Sequence, residues 1–488
     1  MTGTVWSFRP DALLPPAHRI RVSFLQGGPG RLGVVDLEGR ALPGLRVFTI
    51  GPIGVVNDET PPSYEHVSPR DGSAGIGTNA RFTLRYDEPV NRLTAASSLR
   101  LENVETREVV PCSIRFATSE RTVFVVPHAP LAPDSAYTLI QDGTTDRSGN
   151  PAPGPDTRFR TGPGPDFEPP RVVLASPTAG ATNVPANGIA RIRFDESIDL
   201  GDAGEGAFRI DGPGGVAVDR ELRYDDEFAA WELVPSALLS PDTLFTLRAL
   251  AIVGGQRIVD SAGNAFGGFQ STFRTGVLGA DTSAPTIVAI CPGDGDGGVP
   301  TNVKWTIVVS ERPDPFSVAM ANIELWHAAS GESVAGNIAV DGETITFAPR
   351  TLLARATAYT LSVAEVRDLA GNVLADPAEV TITTGPGADF AGPRRVTTTP
   401  LQGESGVPTT VAVTLTFDEP LSPCAVGPAS VRIEGVESDV SLSADRHRVT
   451  IAPRVPLEPG RSYSVTSEVA DLAGNVDSFQ TLSFSTAP

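Results

Sequence analysis

The amino-acid sequence predicts an all-β chain, a tandem array of antiparallel β-sandwiches. Three observations carry that expectation: the composition, the alternation of short apolar strands, and four anchors that recur in fixed order. The 488 residues include 49 Gly and 44 Pro, while aromatic residues are 6% of the chain. Turn formers at that density, with no sustained 3.6-residue apolar period, suit many short strands rather than long helices. Length alone suggests about three domains. The repeats correct that to four modules and part of a fifth, each about 100 residues and large enough to bury its own core.

The first anchor is a strand ending in an acidic pair: Phe82 to Glu88, Ile192 to Glu196, Trp305 to Glu311 and Val413 to Glu419. Counting back from the Glu, positions −6, −4 and −2 are Phe82/Leu84/Tyr86, Ala190/Ile192/Phe194, Trp305/Ile307/Val309 and Val413/Leu415/Phe417. A period of two places these residues on one face, which is the expected core. The second anchor is a strand running into proline, as in Val123 to Pro127 and Ile345 to Pro349. The third is a Leu-x-Pro corner followed by an aromatic: Leu131 to Tyr137, Leu239 to Phe245, Leu353 to Tyr359 without the proline, and Leu457 to Tyr463. The fourth is Asp-x-x-Gly-Asn, at Asp146–Asn150, Asp260–Asn264, Asp368–Asn372 and Asp471–Asn475.

These anchors imply modules at 55–163, 164–277, 278–386 and 387–488, joined by Gly/Pro-rich links such as Gly162-Pro163-Gly164-Pro165 and Gly385-Pro386-Gly387. Short proline-stiffened links predict a monomeric rod rather than loose beads. Residues 1–54 match the second half of the same unit. Val5 to Pro10 reads as the strand into proline, with Trp6 where the second module has Trp231, and Leu14-Pro15-Pro16 reads as the corner. Asp36 to Arg40 fits the acidic turn and Phe48 to Gly51 the exit strand. Half a sandwich exposes a sheet edge and a core face. The chain is therefore expected to begin inside a longer protein, with Trp6 and Phe8 less covered than Trp231 and Leu233.

Taken together, the early Ser-Pro and Gly-Val-Pro, the Phe-x-Glu-Pro, the Leu-x-Pro-x-x-x-Tyr, the Asp-x-x-Gly-Asn and a closing Phe-x-Thr resemble the bacterial Ig-like domain of the S-layer SbsA type. The corner resembles the tyrosine corner of immunoglobulin-like and fibronectin type III sandwiches, where the hydroxyl pins the turn. The resemblance runs from about residue 61 to the end four times over. Departures are Phe245, which lacks the hydroxyl, Arg355 in place of the corner proline, Ser310 in place of the acidic Asp, and Thr410 in place of a loop Asn. The resemblance implies a structural module of surface-layer, secreted or envelope-anchored proteins, and no catalytic residue. It implies an extracellular or cell-surface location and other surface proteins or glycans as partners. A carbohydrate- or protein-binding accessory region of a larger secreted enzyme is the alternative. The second module, with its longer stretch Ala249 to Val259, is the place to look for binding, unless that stretch is a plain hairpin extension.

Composition narrows the chemistry. A net charge of −20 argues against nucleic acid, which needs a basic face. No apolar run approaches the length of a membrane span. The five histidines are not in ligand spacing, and nucleophile elbows and phosphate loops are missing. Asp-Glu pairs could suggest glycoside hydrolysis, but catalytic sites do not normally come several to a chain. Cys112, Cys291 and Cys424 lie in three modules, so none can form a bond within one; Cys291 to Cys424 would need demanding geometry. Asp294-Gly295-Asp296-Gly297 lacks the other ligands of a calcium loop and reads as a turn.

One pattern points to a cation. Glu88, Glu196, Glu311 and Glu419 share phase with core residues at a sandwich rim, so each needs a partner. The acidic turn is expected at the same pole. So is an acid four residues before proline in each link: Asp58, Asp166, Asp281 and Asp389. Oxygen ligands in flexible number suit Ca²⁺, with Asp389, Glu419 and Asp471 as the candidate set. The competing reading is that Asp caps backbone N–H groups while Gly-Asn supplies left-handed backbone.

Overall fold

A computed structural model describes residues 19–24, 46–52, 58–154, 156–319, 322–477 and 481–488. Backbone contacts divide the chain into two compact units, Met1–Asp166 and Phe167–Pro488. Near the N-terminus, Arg19–Phe24 pairs antiparallel with Arg46–Pro52. The expected strand at Val5 to Pro10, the turn at Asp36 to Arg40, and Trp6 and Phe8 lie outside the described residues.

Each of the four repeats is two sheets facing across one core. In the first, one sheet runs Tyr64–Ser68, Phe82–Tyr86, Thr122–Pro127, Cys112–Phe116 in spatial order. The facing sheet runs Ser73–Ile76, Thr157–Thr161, Ala136–Ile140, Arg100–Asn103, Val109–Val110. Its pairings are antiparallel except the one between Ser73–Ile76 and Thr157–Thr161. The repeat's first extended segment thus starts in one sheet and crosses to the other. The second and fourth repeats carry the same parallel pairing, and the third keeps it as a bridge from Val299 to Thr384.

The expected core face is the observed one. Leu84, Ile192, Ile307 and Leu415 are fully buried, as are Phe82, Tyr86, Ala190, Trp305, Val309, Val413 and Phe417. Phe194 is partly exposed and packs on the rim of the same core. Among the described residues helix is limited to short segments such as Arg92–Ser98 and Pro315–Ala319. The extension in the second repeat is a small hairpin, Ile252–Val253 against Gln256–Arg257.

The recurrent polar residues hold the frame. Asp87, Asp195 and Asp418 each accept the backbone N–H of the residue 24 positions earlier (Ser63, Arg171 and Arg394) at 2.8, 2.8 and 2.7 Å. Ser310 does the same for Thr286 at 3.0 Å, so the third repeat's departure keeps the bond. At the corner, the hydroxyls of Tyr137, Tyr359 and Tyr463 accept backbone N–H groups at 2.9, 3.0 and 2.9 Å. The closing threonine pins the same corner from the other side. Thr161, Thr275, Thr384 and Thr486 donate to a corner carbonyl at 2.7, 2.6, 2.6 and 2.6 Å. The second repeat, with Phe245, keeps its corner by this bond and by stacking on Phe273.

One corner residue sits left-handed in every repeat: Asp134, Asp242, Ala356 and Gly460, at φ of 49°, 45°, 49° and 65°. Only glycine does so without a Cβ clash. Ala356→Gly should therefore stabilise the third repeat by about 1 kcal/mol, read as slower native-state hydrogen exchange in that repeat alone; unchanged or faster exchange would refute the strain argument.

Candidate functional site at the repeat joints

The site begins with the acidic turn. Asp146, Asp260, Asp368 and Asp471 are buried. In each, Oδ1 accepts the backbone N–H of the turn Asn at 2.8, 2.8, 2.9 and 2.9 Å. Oδ2 accepts the Asn side-chain amide at 2.8, 2.7, 2.7 and 2.8 Å. The left-handed residue is the Gly alone: Gly149, Gly263, Gly371 and Gly474 have φ of 94°, 97°, 94° and 80°. The expectation that Asn shares that role is corrected. Its amide is committed instead to Asp Oδ2 and, at Asn150, Asn372 and Asn475, to a link carbonyl.

The link acid and the strand-ending Glu come to the same place. Within Met1–Asp166, one oxygen each from Asp58, Glu88 and Asp146 lie within 4.8 Å of one another. Within Phe167–Pro488 the same holds for Asp281, Glu311 and Asp368, and for Asp389, Glu419 and Asp471. Burial and the neighbouring Asp389 and Asp471 push the Glu419 carboxyl up to about 7. Burial, a hydrogen bond with Asp281 and the Asp368 charge do the same for Glu311, also to about 7. Glu88 moves upward for similar causes, burial first and then Asp58 and Asp146. Such a cluster either holds a proton on the Glu or compensates its charge with a cation. Among the described residues Asp471 Oδ2 accepts one hydrogen bond, from the Asn475 amide, and Asp389 gives one carboxylate oxygen to the Ala391 N–H at 3.0 Å.

A second set of asparagines positions the link acid. Asn302 donates to the Asp389 carbonyl at 2.5 Å and accepts the Asp389 N–H at 2.8 Å. Asn187 makes the same pair of bonds with Asp281, and Asn79 with Asp166, each at 2.8 Å. Each of these link acids is thus docked, like an added rung of sheet, onto the repeat before it. The Asp389 carbonyl also receives Asn475 of the repeat after it at 3.1 Å. The two flanking repeats converge on one peptide group.

Inside Phe167–Pro488 the two joints share a register. The N–H seven residues before the acidic Glu donates to the carbonyl one residue past the next repeat's turn Asp: Ile189 to Leu369 at 2.9 Å, Lys304 to Leu472 at 3.1 Å. Leu369 packs into the core of the second repeat, and Leu472 packs on that of the third. Beside the first of these joints Arg191, Glu232 and Asp314 form a buried ion network: Arg191 Nε meets Glu232 Oε1 at 2.6 Å, and Nη1 meets Asp314 Oδ2. Arg191 also lies 5.0 Å from the Phe228 ring, which packs against Phe316. Beside the second joint, Cys291 is bonded to Cys424, with Cα atoms 5.9 Å apart. Arg446 forms a two-bond fork on Asp296 at 2.9 and 2.6 Å. Asp296, read in sequence as part of a turn, caps Gly293 and carries this ion pair as well.

Sequence reasoning grouped the acidic triples and noted the loop Asn and the Cys291–Cys424 pair, but gave neither a part in the joint, and it passed over the ion network. A signal existed for Arg191: it occupies the position held by Thr83, Thr306 and Thr414 in the other repeats.

Sandwiches of this topology, repeated along the chain with carboxylate-lined poles, define a tandem array of immunoglobulin-like modules. The chain belongs to the bacterial Ig-like domain family, whose pattern matches residues 58–161, 166–275, 281–384 and 389–486. Among solved structures it is similar to the S-layer protein rSbsC(31-844), at 13% identity and TM-score 0.18, covering 88% of this chain and 54% of that one. Domains 1-6 of surface layer protein SbsC align at 12% identity and TM-score 0.19 with the same coverage, 88% and 54%. The human desmocollin-1 ectodomain aligns at 12% identity and TM-score 0.15, covering 91% and 82%. The chain spans about half the length of the two S-layer structures it matches, 54% of each. No curated protein matches it in sequence. Among the described residues no helix is long and apolar enough to cross a membrane.

Proposed function

We propose that the chain is a non-enzymatic spacer or adhesive array of Ig-like modules, carried on a bacterial surface or in a secreted protein. The observation behind this reading is repetition. The acids that would suggest catalysis recur in repeat after repeat, and their turn Asp is committed to holding backbone. The Cys291–Cys424 bond favours an oxidising compartment outside the cytoplasm. Protease shaving of intact cells of the producing bacterium, together with its culture medium, tests the location. Peptides from this chain should appear before lysis, and their appearance only after lysis would overturn it.

We further propose that Asp389, Glu419 and Asp471 take Ca²⁺, with water completing its six to eight oxygens. The pH dependence follows by sign. Without a cation, the folded chain keeps protons on Glu311 and Glu419 up to about 7, against 4.5 for the free side chain. Between those values the folded state binds more protons than the unfolded one. Stability therefore falls as pH rises through that window, and the loss is complete above it. Calcium compensates the ionised acids, so millimolar Ca²⁺ should raise Tm more at about pH 8 than at about pH 5. Equal Tm in Ca²⁺ and chelator at both pH values would leave the acids as hydrogen-bonding caps.

A further inference from the structure

The two joints inside Phe167–Pro488 differ at one place within a shared frame. The frame is the Ile189–Leu369 and Lys304–Leu472 backbone bonds and the Asn187–Asp281 and Asn302–Asp389 clamps. Against it, the segment that follows the acidic Glu of the later repeat lies on the first strand of the earlier one. At the first joint this segment is Pro315–Ala319, which contacts Val172–Ser176. At the second it is Pro423–Ala425, which contacts Ile287–Cys291. Ser176 and Cys291 are equivalent, each the residue before the strand's closing proline; Phe316 and Cys424 are equivalent, each five residues past the acidic Glu. At the first joint the socket is filled by Asp314, which lies beside Ser176 and pairs with Arg191, and by Phe316 on Phe228. At the second it is filled by the disulfide, and Cys424 Sγ lies 3.7 Å from the carbonyl of Thr306, the residue equivalent to Arg191.

We propose that Cys291–Cys424 is a reducible clasp in a socket that both joints share, so that a dithiol reductant loosens the joint between the third and fourth repeats and leaves the joint before it closed. Two electrons and two protons pass from the dithiol to the disulfide, giving two thiols here and a disulfide on the reductant. Cys424 is a partly exposed residue and Cys291 a buried one, so attack is expected at Cys424. Once the bond is open, the joint is left with the Lys304–Leu472 backbone bond, the Asn302–Asp389 clamp and the Arg446–Asp296 fork, one restraint fewer. The ion network at the earlier joint has no reducible bond.

Hydrogen exchange of the whole chain, with and without dithiothreitol in chelator, reads this directly. Reduction should speed exchange of the amides around 387–394 and 421–426 by about tenfold or more, and leave those around 313–319 unchanged. A Cys291→Ser, Cys424→Ser chain should behave as the reduced one and ignore dithiothreitol. Exchange unaltered by reduction, or altered equally at both joints, overturns the clasp. The shared socket has its own test. A Ser176→Cys, Phe316→Cys chain, with Cys112→Ser to remove the native free thiol, should form a second disulfide detectable by peptide mapping. Recovery of the peptides spanning positions 176 and 316 with free thiols, from a folded and oxidised preparation, overturns the shared geometry.

Discussion

Arg191→Ala should destabilise the second and third repeats by about 3–5 kcal/mol, the cost of breaking a buried pair by removing one partner. Arg191 is 3% exposed, and the carboxylates it serves, Glu232 and Asp314, are 1% and 0% exposed. Glu232 would keep Arg223, at 2.6 Å and half in solvent, but Asp314 would lose the guanidinium it pairs with. Burial already holds the Asp314 carboxyl above its ordinary range, opposed chiefly by Arg191 and then by the Phe316 N–H. Without the guanidinium the group would take up a proton or pull water into the joint. Native-state hydrogen exchange, which resolves the repeats separately, should show lost protection around 189–194, 230–235 and 313–319 while the first and fourth repeats are unaffected. A control separates charge from packing. Replacing Arg191, Glu232 and Asp314 together by Met, Leu and Leu should cost far less than Arg191→Ala, since a buried network can be exchanged for apolar contact at little loss. If the triple variant were the less stable of the two, the network would be a net stabiliser and the argument from unpaired charge would fail.

Trp305→Ala should cost about 3–5 kcal/mol in the third repeat, through lost burial and the cavity left behind. Trp305 is fully buried and meets Phe347 edge-on at 6.3 Å between ring centres. Its indole N–H has no hydrogen-bond acceptor among the described residues, a buried donor left unmade. Trp305→Phe should therefore cost much less than the loss of ring area suggests, about 1 kcal/mol, because the orphan donor leaves with the indole. Urea unfolding followed by circular dichroism, with exchange in the third repeat as the local readout, distinguishes the two. Equal losses for Ala and Phe would mean that the N–H finds a partner and that ring size decides the site.

Both predictions rest on the strand Trp305–Val309 and its equivalents, and they divide what could be read from sequence from what could not. The alternation of Trp305, Ile307 and Val309 was legible because a strand's side chains have a strict period of two, so a core face is written locally. Tyr137, Tyr359 and Tyr463 were legible for a similar reason: a corner needs few residues, close together in the chain. The strand-ending Glu, the turn Asp and the link Asp could be matched by phase and repetition, and the structure brings their oxygens within 4.8 Å. The role of asparagine in the acidic turn was misread, since propensity records that Asn tolerates left-handed backbone but not that its amide has two acceptors waiting.

By itself, then, the sequence determined the all-β class, the repeat, the buried face of each strand and the membership of the acidic triples, all of which depend on the spacing of recurring motifs. Only the tertiary structure decided what the modules do to each other. Arg191 reaches Asp314 across 123 residues and Cys291 reaches Cys424 across 133. Asn302 meets Asp389 across 87. No local period encodes a contact between two modules, because it depends on the angle at which one sandwich docks on the next. That angle is set by many weak bonds acting together, and a buried charge or a cysteine declares its partner only once the two surfaces have met.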